Sequence, residues 1–300
     1  MVELKLDVKK QNIQVFTDVH DEKKSEGMAE ENKKKSFGML SLLDKSADII
    51  LTHSEKRYEP FWHIMGESFI EYLRTTKYSF PVDPQVREVK IAGNIFKIEG
   101  EKPVCSFDAQ DRCMEHFTKE LITDAMEGKQ GEKELKKYLE FQTKQVKQTE
   151  DLMGPNKIVI PAKIKASYLV RDFVRNLIKP VHADKILNEK VEITKVVLYF
   201  RPIYAFEFQN KKNNKTGVIE IDALTGEVSK GKVYKTELKE LIPEGALFDI
   251  GAEVASWVIP GAGLGATVGK AIHEKRKQKK AIKRMKESKD FDEKMKKSKK

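Results

Sequence analysis

Nearly all of the net charge of this chain sits at one end, and that asymmetry limits what the rest can fold into. Residues 271–300 hold 14 Lys/Arg and 5 Asp/Glu, a net of +9, which leaves 43 against 42 for the first 270. The body is therefore electrically balanced and must be held by a packed core. The nucleic-acid reading that a net of +10 invites applies to the tail alone. A length of 300 residues suffices for one large domain or two of ordinary size. An apolar fraction of 39% against a charged fraction of 35% predicts solvated connecting segments beside the packed ones.

Residues 1–8 alternate apolar and charged side chains, a strand pattern without the apolar run of a secretory signal. With only two cysteines, the expected address is the cytoplasm; a Cys105–Cys113 bridge is compatible with the sequence but not implied by it. Short strands are predicted over 2–8 and 13–19, a flexible charged link over 21–36 and a short helix over 37–43. Residues 48–52, 58–65 and 69–80 read as strand material, and Ala92-Gly93-Asn94 reads as a turn between two β-rich runs. From 110 to 153 the Glu, Lys, Gln and Leu content predicts one or two helices, interrupted near 128–131 and stopped at Gly154-Pro155-Asn156.

In the second half, a short strand over 158–161 precedes a helix over 167–178, where Leu169, Phe173, Val174 and Leu177 recur at helical spacing. A second short helix is expected over 184–189, then strands over 191–209, 217–222 and 227–229. The predicted fold class is α+β: two antiparallel-sheet modules with packed helices, followed by a C-terminal helical hairpin and a basic tail. The expected division is 1–36 strands and linker, 37–109 first sheet module, 110–156 helical connector, 157–242 second module, 243–273 glycine-rich apolar hairpin and 274–300 lysine-rich tail.

The run Tyr204-Ala-Phe-Glu-Phe208, followed by Gly217-Val-Ile-Glu-Ile-Asp222-Ala-Leu-Thr225-Gly226-Glu-Val228, resembles small PepSY-like and cystatin-like modules over 167–232. The resemblance implies a helix across a short antiparallel sheet, with an Asp-x-x-Thr-Gly turn linking the last two strands. An internal similarity joins Tyr58-Glu-Pro60-Phe61-Trp62 to Phe200-Arg-Pro202-Ile203-Tyr204. It reads either as two related sheet modules or as coincidence in two aromatic strands. Because proline removes a ladder donor, both clusters, with Tyr58, Phe61, Trp62, Phe200 and Tyr204, are expected at sheet margins, on an edge or a bulge.

Candidate chemistry is sparse. Cys105, Cys113 and His116, with His63 elsewhere, offer zinc ligand types but lack a tight C-x2-C knuckle, so burial as packing residues is the competing reading. On a helix, Cys113 and His116 would share a face with Asp111 or Glu115 nearby, the pairing a thiolate nucleophile needs, yet nothing supplies an oxyanion hole. Gly261-Ala-Gly263-Leu-Gly265-Ala266 matches a loose dinucleotide fingerprint and Gly269-Lys270 the end of a phosphate loop. Leu264 and Ala271 break the second, and the first lacks its following strand. No catalytic, metal or cofactor residue is assigned and no cofactor is expected.

Leu247, Ile250, Val254, Trp257 and Val258 form one helical stripe, and Leu264, Val268 and Ile272 form a second beyond Pro260-Gly261. Gly251, Gly261, Gly265 and Gly269 would let the two helices approach closely. Residues 254–269 are 16 without charge, short of the ~20 that a straight membrane span needs. The expected function is a non-enzymatic binding or scaffold protein whose hairpin meets a protein partner or lies in an anionic membrane surface. Lys275, Arg276, Lys277, Lys279, Lys280, Lys283 and Arg284 are then the electrostatic contacts, and the protein sits in the cytoplasm or peripherally at the inner face of a membrane. An alternative is a nucleic-acid accessory protein making non-specific phosphate contacts through the same lysines, and a third reading is an enzyme centred on Cys113 and His116.

Overall fold

A computed structural model describes residues 3–6, 11–37, 48–100, 103–128 and 131–234. The helix expected over 37–43, apart from Phe37, and the hairpin and tail from 243 onward lie outside the described residues. Strands dominate: β1 (Glu3–Leu6), β2 (Gln11–Phe16), β3 (Ile49–Pro81), β4 (Glu88–Ile91), β5 (Asn94–Lys97), β6 (Val104–Asp124), β7 (Thr143–Val146), β8 (Lys157–Val159), β9 (Lys185–Asn210), β10 (Thr216–Asp222) and β11 (Val228–Lys230). The α-helices are α1 (Glu22–Asn32), α2 (Glu132–Leu135), which runs into a 3-10 turn at Lys136–Glu140, and α3 (Ala166–Leu177).

The two longest strands form the axis. β3 and β9 pair antiparallel from Ile49↔Asn210 to Leu73↔Lys185. The outer side of β3 takes β8 in parallel at 56–58 and β6 antiparallel at 61–81. The outer side of β9 takes β10 antiparallel at 203–209, then β2 and β1 in parallel at 196–200 and 190–193. β7 and β11 complete a nine-stranded mixed sheet, and β4–β5 is a separate hairpin. Past Leu73, β3 and β6 run on as a two-stranded arm to Pro81↔Val104.

Alternation along the strands gives each face its own core. On one face Trp62, Ile64, Val191, Ile193 and Leu198 meet Val170, Phe173 and Leu177 of α3, and the buried Trp62 indole donates to Ile164 O at 2.8 Å. The helix packs this closely because position 66 is glycine. A Cβ there would lie 2.8 Å from Glu192 O and 2.9 Å from Phe173 Cε1. α1 starts at Asp21, whose Oδ1 accepts from Lys24 N, and sets Ala29 and Met28 against Phe206, Phe208, Ile219 and Ile221. On the other face Phe16, Phe61, Tyr199 and Tyr138 stack beneath the Lys136–Glu140 turn.

Several expectations are corrected. The α+β reading as two antiparallel-sheet modules fails because β3 and β9 fuse the halves into one mixed sheet, mostly strand. Residues 21–36 form α1 and a 3-10 turn rather than a link, because Ser25 and Ala29 are buried. The helix predicted from 110 is replaced as far as Asp124 by β6, whose ladder to β3 overrides the helix propensity of Glu and Lys. Residues 185–189, expected helical, open β9 for the same reason.

Pro60 and Pro202 lie on neither a sheet edge nor a bulge. They sit on the two central strands, where Tyr58 faces Pro202 and Pro60 faces Phe200 about the pair Glu59↔Arg201. Pro60 falls between the stretches of β3 that pair with β8 and β6, and Pro202 between those of β9 that pair with β2 and β10. Each missing N–H thus points into the junction between two flanking strands, where no ladder bond is lost. Tyr58, Phe61, Trp62, Phe200 and Tyr204 are accordingly buried core residues and not margin aromatics.

Candidate functional site

On the face of β3 that carries Phe61, the preceding odd positions hold Glu55, Arg57 and Glu59, and β9 and β10 bring Arg201, Glu220 and Asp222 beside them. Arg57 is 1% exposed. Its Nη2 lies 2.6 Å from Glu220 Oε1 and 3.4 Å from Glu59 Oε1, and its Nη1 donates to Lys232 O at 2.6 Å. Arg201 Nη2 lies 2.6 Å from Glu59 Oε2, and its Nη1 donates to Tyr138 Oη at 2.6 Å. Tyr138 in turn donates to Asp222 Oδ2 at 2.5 Å. Burial works to lower the Arg201 pKa, but the Glu59 charge, with Tyr138 and Asp222, raises it above the ordinary arginine value. Burial pushes the Tyr138 phenol up, aided by its bond to Asp222, so it stays protonated and donates.

Asp222 has a second task. Its Oδ1 accepts from Leu224 N and Thr225 N, at 2.9 and 3.1 Å, shaping the turn between β10 and β11. Beyond β11 the chain crosses this charged face as a strap, residues 231–234. Lys232 N donates to Glu220 Oε1 at 3.0 Å and Tyr234 N to Glu55 Oε1 at 2.9 Å. The Arg57 guanidinium lies 5.1 Å from the Tyr234 ring centre. The strap passes so near the carboxylate that a Cβ at Gly231 would fall 1.8 Å from Glu220 Cδ. Both guanidinium groups are engaged by carboxylates, and the arrangement fastens the chain segment 231–234 to the sheet.

Further along the same face, His63 is 2% exposed and its Nε2 lies 2.8 Å from Glu120 Oε1. Burial, with the Lys195 charge, lowers its pKa to about 4. The ring is therefore neutral at pH 7, with Nε2–H held by the carboxylate. The hydrogen bond from Lys136, more than that from His63, keeps Glu120 below the usual carboxylate range. Next to it runs a groove of ≈ 440 Å³ lined by Asn12, Gln14, Met65, Lys195 and Tyr199 among others.

The residues singled out in the sequence fare differently. Leu247, Ile250, Val254, Trp257, Val258, Leu264, Val268 and Ile272, the lysines and arginines from 275 to 284, and the glycine-rich 261–270 segment lie outside the described residues. Cys105 and Cys113 are free cysteines on one strand, eight positions apart. That is about 26 Å, far beyond the roughly 7 Å a disulfide spans. Cys113 and His116 project to opposite faces of β6, since three residues is an odd interval on a strand, so the helical pairing disappears. His116 pairs with Glu67 at 2.9 Å and His63 with Glu120, and neither faces a cysteine. Among the described residues no group of three His, Cys, Asp or Glu converges as a metal site would.

The sequence reading missed Glu55, Arg57, Glu59, Tyr138, Arg201, Glu220 and Asp222 as one cluster. A signal was present, since Glu55-x-Arg57-x-Glu59 places charges at a spacing of two inside an aromatic strand, and Gly231 stands beside two lysines. Compared with known proteins, the chain matches no family model, no curated protein and no solved structure.

Proposed function

We propose that this chain is a non-enzymatic binding or scaffold protein whose sheet body presents the C-terminal apolar segment and basic tail to a protein partner or an anionic membrane surface. The strap supports this reading: residues 231–234 are held by Glu55, Arg57 and Glu220, and in the sequence they stand nine residues before the apolar segment that begins at 243. No helix among the described residues is long and apolar enough to cross a membrane. The site of action on this reading is the cytoplasm, peripheral to the inner face of a membrane when lipid is the contact. The PepSY-like resemblance of 167–232 remains part of the proposal as a binding module, on the Asp222–Gly226 turn that carried it.

Flotation of the full chain with vesicles tests it. Binding to vesicles containing anionic lipid is expected, with Val254→Asp/Trp257→Asp abolishing it and high salt weakening it. Salt-sensitive retention on RNA or DNA without flotation would instead establish the accessory-protein alternative.

A further inference from the structure

The free edges of this sheet are unequal. β7 and β11 close their ends with four and three residues, the short edges that usually limit unwanted pairing. β6 is different: its 21 residues pair with β3 alone among the described residues, without proline and without a shift in register. Ala125 N donates to Pro60 O and Val82 N to Pro103 O, so the even positions of β3 direct their backbone groups at β6. Through the register, the odd positions of β6 face β3, and its even positions, from Ser106 to Thr118, turn N–H and C=O outward.

The side chains on this edge specify a particular neighbour. Asp108, Gln110 and Arg112 are all exposed on one face, at equal spacing. An antiparallel copy of the same strand, related by a two-fold axis through Gln110, sets Asp108 opposite Arg112 of the partner subunit on both sides of the axis. Gln110 then faces Gln110 of the partner subunit, and its amide can both donate and accept there. On the other face Ala109 meets Asp111 of the partner subunit and Phe107 meets Cys113 of the partner subunit, so no like charges stand opposite. Arg112 already bonds Glu71 through Nε at 2.6 Å, which holds the guanidinium at the strand surface with donors to spare. The axis position is also clear of the body, because Gln110 pairs with Thr75, beyond the last β3–β9 pair at Leu73.

We propose that this chain forms a two-fold dimer in which β6 pairs antiparallel with β6 of a second copy, centred on Gln110, joining two nine-stranded sheets into one. A C2 contact of this kind uses one surface twice and closes on itself. The inference is independent of the C-terminal contact proposed above.

Sedimentation equilibrium of the full chain tests it. A dimer is expected, with Asp108→Arg and Arg112→Asp each raising the dissociation constant about tenfold or more, and the double variant recovering toward the parent. Gln110→Pro removes an outward N–H that the β3–β6 ladder does not use and should give a monomer with an unchanged circular dichroism spectrum. A parent protein that stays monomeric at every concentration overturns the proposal. So does a dimer that all of these variants leave intact, since its interface must then lie elsewhere, the C-terminal segment included. Slow amide exchange at 106–116 in a monomer would show the edge filled by this chain or another protein, and would equally remove the second copy as occupant.

Discussion

From Phe61 to Ile64, β3 has a strand on each side and a packed core on each face; from Arg74 to Pro81 it has β6 alone among the described residues, and Tyr78 and Phe80 are 44% and 39% exposed. Both stretches are rich in aromatic and polar residues at alternating positions, so composition does not separate them. The neighbours do. In the body an arginine can be buried because carboxylates arrive from β3 and β10, whereas on the arm Arg74 and Arg112 meet theirs at the surface, in water.

The contrast is most easily broken in the body. Trp62→Ala should lower stability by about 4 kcal/mol, from lost burial and a cavity beneath α3, measured by urea unfolding, while Tyr78→Ala leaves the midpoint nearly unchanged. Arg57→Ala leaves Glu220 and Glu59 without their buried partner and frees Lys232 O, and a loss of about 3 kcal/mol is expected. It should also expose the strap to protease near Tyr234. A stability equal to the parent would mean that the strap is held by other contacts.

The acid side of the stability curve gives a smaller, graded effect. His63 has its folded pKa lowered from 6.5 to about 4, so between those values the unfolded state binds the proton and the folded state does not. Its contribution is whole above pH 6.5 and lost as pH falls toward 4, in total about 3 kcal/mol at the low end. His63→Leu should flatten the profile in that window, and an unaltered slope would assign the acid sensitivity to other groups. The smallest effect is expected on the arm, where Arg74→Ala should leave the unfolding midpoint of the body within error, because its pair with Asp111 is solvated.

Parts of the fold were legible because their signals are local. The α3 stripe of Leu169, Phe173, Val174 and Leu177 is buried as helical spacing requires, and the turn at Ala92-Gly93 joins β4 to β5. The strand segments of β9, β10 and β11 lie close to where β-rich composition put them. β6 was not legible. Its Glu115, Lys119 and Glu120 favour helix locally, and only the β3 ladder makes them strand. The charged cluster was hidden for a related reason: Glu55 and Glu59 become neighbours of Arg201 and Glu220 only through the β3–β9–β10 register.

The sequence alone determined the division of charge, the amphipathic α3, the Asp222 turn and the β-rich runs that became most of β3 and β9. Each of these depends on residues near one another in the chain, whose geometry the backbone imposes by itself. Tertiary structure decided that β3 and β9 are partners, that β1, β2 and β8 add in parallel, and that two prolines occupy strand junctions in the middle of the sheet. A ladder bond looks the same for any strand that can donate and accept. Its partner is chosen by how the apolar faces of the whole chain can be buried at once, and with that choice came the burial of Arg57 and the point from which the C-terminal segment departs.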